Sequence, residues 1–163
     1  MLPRRIEMRL GSCEAVGAAS LGGYSLRFHK RGGDGSGKCD AFHTGDQADM
    51  LFGVVYSLSR YQREKLDDFE GPGYTSLDVS VRTPFGILTA YTYVAREEHV
   101  EDGLQPFSWY KSIVVAGARV HGLPVRYIER LAATGAVSDP DLERHAHHQA
   151  IVDAAVRLPV GGP

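Results

Sequence analysis

Cysteine is scarce in this chain. Cys13 and Cys39 are the two present among 163 residues. They are too few for a disulfide framework and lack metal-site spacing, so a reduced, cytoplasmic setting is expected. Long apolar runs are missing as well. No stretch approaches the roughly 18 residues of a membrane span, and no signal-peptide pattern opens the chain. An excess of either charge is absent too: 18 Lys and Arg face 20 Asp and Glu, a formal net charge of −2. That balance leaves no electrostatic footprint for nucleic acid or an anionic membrane. No internal repeat and no linker is visible.

What is present describes an ordinary globular protein. Hydrophobic residues make up 43% and charged residues 23%, and the length fits one domain with a sizeable core. We assign that domain to residues 1–156, with 157–163 as a frayed tail. Nineteen glycines, clustered in the first half, suggest turns between strands.

Hydrophobic periodicity gives the order of elements. Leu2, Ile6 and Leu10 are spaced four apart, one helical stripe, with Pro3 tolerated in a first turn. Cys13 to Leu21 and Tyr24 to Lys30 read as two strands joined by a Gly22-Gly23 hairpin turn. Cys39 to Thr44 is a short strand, and Leu51 to Leu58 an apolar one expected to be buried on both faces. In the strand after Tyr74, Leu77, Val79 and Val81 alternate with Ser76, Asp78 and Ser80. Thr83-Pro-Phe-Gly86 turns it into a returning strand, on which Tyr91 and Tyr93 share a face. From Pro106 the pattern turns helical: a stripe of Tyr110, Ile113, Val114, Gly117 and Val120, then a helix opened by Pro124, then a third from Ser138 to about Ala155. Strands first and helices last predict an α+β domain with helices concentrated in the C-terminal half.

The stretch Ser59 to Tyr74 carries the one suspicious acid. Ser59 and Gln62 form a capping-box pattern, and Gly71-Pro72-Gly73 stops the helix abruptly. Leu58, Leu66 and Phe69 lie near one face, and Glu70, four residues after Leu66, shares it. A carboxylate carried to the inner end of a helix is partly desolvated. Its pKa rises, which suits a proton shuttle. The alternative is an exposed acid at an ordinary helix terminus.

Two other patterns were weighed. Gly32 to Lys38 nearly meets phosphate-loop spacing, but Cys39 replaces the hydroxyl residue that would hold magnesium, and no strong helix pattern follows. His145 and His148 share a helical face while His147 points elsewhere, and no clear third ligand is near. No cofactor and no metal are therefore assigned, and no Gly-x-Ser-x-Gly elbow appears.

Taken in order, the motifs resemble the gamma-glutamylcyclotransferase family. They are Gly35-Ser-Gly-Lys-Cys-Asp-Ala-Phe42, Phe52-Gly-Val-Val-Tyr-Ser-Leu58, Leu66-Asp-Asp-Phe-Glu70-Gly, a tyrosine-led strand, Tyr110-Lys111 to Gly117-Ala118, and Gly122-Leu-Pro124 with Tyr127. The resemblance covers roughly residues 1–133. It implies a compact, barrel-like mixed sheet with flanking helices, enclosing a pocket for a small-molecule gamma-glutamyl substrate whose free α-amine attacks its own γ-carbonyl, closing to 5-oxoproline as an amine leaves. The family's catalytic acid falls on Glu70, and its pocket tyrosines on Tyr74, Tyr93 and Tyr110, with Tyr91 a close alternative to Tyr93. The implied protein needs no cofactor or metal, binds neither nucleic acid nor membrane, and is a monomer or homodimer.

The sequence departs from the family pattern at its start. The family opens with a strand and a Tyr-Gly-Ser-Asn loop that holds the substrate's glutamyl end, and Met1-Leu-Pro-Arg-Arg-Ile with Arg9 matches the helix that follows. The expectation is either a natural start further upstream or a chain without that strand, with an edge of the central sheet left open. The second case favours a non-catalytic binding or interaction module with the same fold. A metal-dependent hydrolase using His145 to His148 is a third reading. The leaving group, whether amino acid, cysteinylglycine, polyamine or lysine side chain, is left open.

Overall fold

The computed structural model describes residues 2–157. Along the chain, α1 (Pro3–Leu10) leads into β1 (Glu14–Gly22), β2 (Tyr24–Arg31), β3 (Gly37–His43) and β4 (Met50–Ser57). Then come α2 (Arg60–Glu70), β5 (Tyr74–Thr83) and β6 (Gly86–Ala95), a 3₁₀ turn at Glu97–His99, α3 (Ser108–Val120), α4 (Val125–Ala133) and α5 (Leu142–Arg157). This is the expected α+β order. Of the expected tail, only Arg157 falls within the described residues, and it ends α5.

Four strands form one antiparallel sheet in the order β4-β1-β5-β6, and β2 with β3 forms a separate antiparallel pair. The larger sheet does not close into a barrel. Its edges are β4 and β6. Among the described residues the ladders between these strands are antiparallel.

The Gly22-Gly23 turn does not close a hairpin, because β1 and β2 enter different sheets. Gly23, at φ +77°, takes a conformation that side chains disfavour. Its amide donates to the Asp49 carbonyl at 2.9 Å and its carbonyl accepts from the Thr44 amide at 2.8 Å. Those bonds tie the turn to the β3–β4 loop rather than to a ladder. β4 likewise differs from expectation. It is an edge strand whose residues from Met50 to Tyr56 are half-buried, and Leu51, Gly53 and Val54 border two adjoining cavities.

The third helix of the C-terminal half starts at Leu142 rather than Ser138. The Asp141 carboxylate caps it by accepting the Arg144 amide at 2.9 Å, as an N-cap aspartate does. Asp139 is withdrawn inward, where its carboxylate accepts the Trp109 indole N–H at 2.7 Å and the Arg144 guanidinium. Leu142 is left exposed, and Ile151 and Val152 pack with Trp109 and Ile113 of α3.

What positions the candidate acid is the contact between α1 and α2. Ile6 and Leu10 of α1 and Leu66 of α2 form one buried cluster, with Leu58, Tyr56 and Tyr93 packed against it. The capping box forms as read: the Gln62 amide donates to Ser59 Oγ at 3.2 Å and the Ser59 amide to Gln62 Oε1 at 2.9 Å. Gln62 Nε2 also donates to the Ser12 carbonyl at 2.8 Å, which ties the start of α2 to the end of α1. Leu66→Ala is expected to cost roughly 2–5 kcal/mol, the range for emptying a buried leucine site. Ser59→Ala is expected to cost about 1 kcal/mol, as for a lost helix cap. Urea unfolding of the two variants measures both, and equal losses would mean that the cap, not the Leu66 contact, holds the two helices together.

Candidate active site

Glu70, Tyr74, Tyr93 and Tyr110, the four residues singled out in the sequence, all border one cavity of about 450 Å³. α2 delivers Glu70 at its last position, and Gly71, at φ +70°, turns the chain sharply so that β5 starts three residues later with Tyr74. β6 contributes Tyr93 and α3 contributes Tyr110. Across from them α1 brings Arg5 and Arg9, four residues apart on one helical face. β3 supplies Lys38, Cys39 and Asp40.

The Glu70 carboxylate accepts from Arg9 Nη1 at 3.2 Å, and about a fifth of each side chain remains exposed. Burial raises the carboxyl pKa. Arg9, Arg5 and Lys30 oppose that rise without cancelling it, so the acid stands above the usual carboxylate range. Phe69, expected near the core face, is half exposed. Its ring lies beneath the Arg9 guanidinium at 5.1 Å, so Arg9 is held between an aromatic face and the carboxylate.

Both flanking tyrosines are fixed by the backbone of one residue. Tyr74 Oη donates to the Cys39 carbonyl at 2.6 Å, and Tyr110 Oη accepts the Cys39 amide at 3.3 Å. Burial raises both phenols well above their ordinary pKa, which keeps them neutral hydrogen-bonding groups. Burial also pushes the Cys39 thiol up to about 11, so it remains protonated and unreactive. Tyr93 Oη donates to Asp67, one turn before Glu70, and its ring meets Tyr74 edge-on at 6.4 Å.

The structure separates Tyr93 from Tyr91. Tyr93 borders both cavities, whereas Tyr91 borders only the second, largely apolar one of about 430 Å³. There its ring sits under the Arg63 guanidinium at 4.2 Å.

Sequence reading missed Arg5, Lys38 and Tyr127 as cavity residues. Arg5 and Arg9 were legible as an i, i+4 pair beside the Leu2–Ile6–Leu10 stripe. Lys38 was not, because its place depends on how the glycine loop closes: Nζ donates to Asp34 at 2.7 Å and to Ser36 Oγ at 2.8 Å. None of His145, His147 and His148 borders the cavity. His148 stacks on Trp109 at 3.9 Å, and burial, with nearby cations, pulls its pKa down to about 4. Among the described residues, no group of three or more His, Cys, Asp and Glu side chains is placed to hold a metal ion. Among them, too, no helix is long and apolar enough to cross a membrane.

The fold defines the class. The chain superposes on a solved gamma-glutamyl cyclotransferase with a TM-score of 0.80 at 24% identity, covering 94% of this chain and 92% of that one. The AIG2-like family model matches residues 50–131. Human gamma-glutamylcyclotransferase is 30% identical over 156 residues, 85% of this chain and 79% of the human one. The cattle gamma-glutamylcyclotransferase is 28% identical over 142 residues, 80% of this chain and 72% of its own. The chain belongs to the gamma-glutamylcyclotransferase family.

Replacing Arg9 by Met removes both the hydrogen bond and the charge that hold the Glu70 pKa down. The Glu70 titration is then expected to move to higher pH in Arg9→Met, followed through the carboxyl carbon by NMR. A midpoint that stays put or falls would show that the pair does not set the acid's ionisation.

Proposed function

We propose that the chain converts a γ-glutamyl amino acid or amine to 5-oxoproline and the free amine, with Glu70 moving the protons. The observation that carries this reading is a partly buried carboxyl of raised pKa at the wall of a tyrosine-lined cavity, in a chain of this family. Family membership supports a small-molecule γ-glutamyl substrate.

The reaction sets a clear demand on proton transfer. The α-nitrogen enters as an ammonium with three protons and ends as a ring amide with one. The leaving nitrogen enters as an amide with one proton and departs as an ammonium with three. Two protons must therefore cross from one nitrogen to the other.

Glu70, ionised, takes the first proton, which frees the lone pair to attack the γ-carbonyl carbon. A tetrahedral centre forms with a new C–N bond. Glu70 then gives its proton to the departing nitrogen, and the old C–N bond breaks as the carbonyl re-forms. The ring nitrogen's second surplus proton follows the same route. A carboxyl with pKa above the usual range suits both directions, because it is neither too weak a base nor too weak an acid near neutral pH.

The surrounding groups support that role. Tyr74 and Tyr110 wall the cavity with their hydroxyls already tied to Cys39, so they present ring surface to the substrate's methylene chain. Tyr93 holds Asp67 and so steadies the last turn of α2, which carries the acid.

Glu70→Gln keeps the shape and removes the titrating group. 5-Oxoproline release from a γ-glutamyl dipeptide is expected to fall by roughly 10²–10⁴-fold, the usual contribution of a general acid–base residue, with the circular dichroism spectrum unchanged. Full activity in that variant would take Glu70 out of the mechanism.

A further inference from the structure

The second cavity holds about 430 Å³, within the range of small-molecule sites, roughly 300–1,000 Å³. Small residues on the strands around it leave it hollow. Ala19 of β1 stands opposite Gly53 of β4 in the ladder, and Ala90 of β6 opposite Val79 of β5. Gly53 lies between Leu51 and Val55, which both pack against the cluster of Ala19, Leu21, Val79 and Val81. A side chain at Gly53 would share that face. Its β-carbon would meet no heavy atom within 4 Å outside its chain neighbours.

Position and chemistry tie this cavity to the reaction. It shares a wall with the cavity of Glu70: Leu51, Gly53 and Val54 of β4, with Thr92 and Tyr93 of β6, border both. Tyr93 stands at that junction, and its hydroxyl donates to Asp67, one turn before Glu70. Among the described residues, none that lines the second cavity is charged, and its polar side chains are the hydroxyls of serine, threonine and tyrosine. Arg63 lies over the Tyr91 ring at 4.2 Å but is not part of the lining. An apolar group is stabilised on entering such a space, whereas an ammonium or a carboxylate would lose its water without gaining a partner.

We propose that the second cavity receives an apolar group carried by the leaving nitrogen, so that γ-glutamyl derivatives of large apolar amino acids or alkylamines are the preferred substrates. The assignment rests on the cyclotransferase reading of the Glu70 cavity. The departing nitrogen must lie within reach of Glu70 to be protonated, so its substituent starts beside the acid. From there the shared wall at Thr92 and Tyr93 leads into the second cavity. In an amino acid leaving group the carboxylate sits on the carbon next to the nitrogen. It stays on the Glu70 side of the junction while the side chain crosses. A polyamine or a lysine side chain would instead carry an unpaired ammonium into the uncharged space.

The test compares γ-glutamylleucine, γ-glutamylglycine and γ-glutamylputrescine by 5-oxoproline release. With the unaltered chain, kcat/KM for the leucine substrate is expected to exceed that for glycine by about 10- to 100-fold, the factor that burying a leucine side chain supplies. The putrescine substrate is expected to do no better than glycine. Ala90→Leu fills the cavity from β6 and Gly53→Val fills it from β4, and thermal melts establish which variants are folded. Each folded variant is expected to lower kcat/KM for γ-glutamylleucine by about that same factor, with a much smaller change for γ-glutamylglycine. No leucine preference in the unaltered chain would overturn the assignment. So would putrescine turned over as well as leucine, or equal losses on both dipeptides in the folded variants.

Calorimetric binding of the two dipeptides to the unaltered chain, with 5-oxoproline measured in the same samples, separates this idea from the activity itself. Tighter binding of γ-glutamylleucine without 5-oxoproline release would leave the apolar site standing and refute the proposed reaction. Release from both dipeptides with no preference between them would do the reverse. Neither binding nor release would refute both.

Discussion

The Arg9 guanidinium, 3.2 Å from Glu70, opposes the rise that burial imposes on the acid's pKa. Burial favours the protonated carboxyl, and without Arg9 that effect would be less opposed. An exposed acid would stay in the ordinary carboxylate range. The pair sets the balance between these limits. Its geometry depends on α1 and α2 being locked together by Ile6, Leu10 and Leu66. The apolar contact between two short helices is therefore what tunes the acid: were the helices to part, Glu70 would lose its counter-charge and its burial together.

Much of this arrangement was legible in the sequence, and the limits of legibility are physical. Local signals survived. The capping box at Ser59 and Gln62, the Leu2–Ile6–Leu10 stripe and the Thr83–Gly86 turn depend on residues close in the chain, and they form as read. The pairing read across Gly22-Gly23 did not form, since partnership there is decided by contacts far apart in sequence. Gly22-Gly23 looks like a hairpin turn, yet the Gly23 amide and carbonyl bond to the β3–β4 loop and send β2 to another sheet. The apolar run of β4 suggested burial on both faces, whereas an edge strand bordering two cavities also calls for apolar residues on both sides. At the site, the order of motifs gathered Glu70 and its tyrosines. It said nothing of which cations were already paired, because pairing is a matter of three-dimensional neighbours.

The tyrosines illustrate a second route to precision. Tyr74 and Tyr110 come from a strand and a helix distant in the chain, and both hydroxyls engage the backbone of Cys39. Backbone groups in a paired strand move little. A β3 strand anchored to β2 therefore acts as a common reference for two walls of the cavity. Asp40, the next residue, extends the same anchoring to β6 through the Ala95 amide and to β2 through His29. Two successive residues of β3 thus join α3, β5, β6 and β2 around the site.

That anchoring also decides which cavity charges can respond to a ligand. Asp40 is 2% exposed and committed to structure, and Lys38 is committed to the closure of the glycine loop by Asp34 and Ser36. Moving either toward a substrate would break bonds that hold the wall itself. Arg9 can move only by releasing Glu70, which would change the acid's ionisation at the moment of binding. The cavity separates its cations by duty: Lys38 shapes the wall, and Arg9 opposes the burial of the acid.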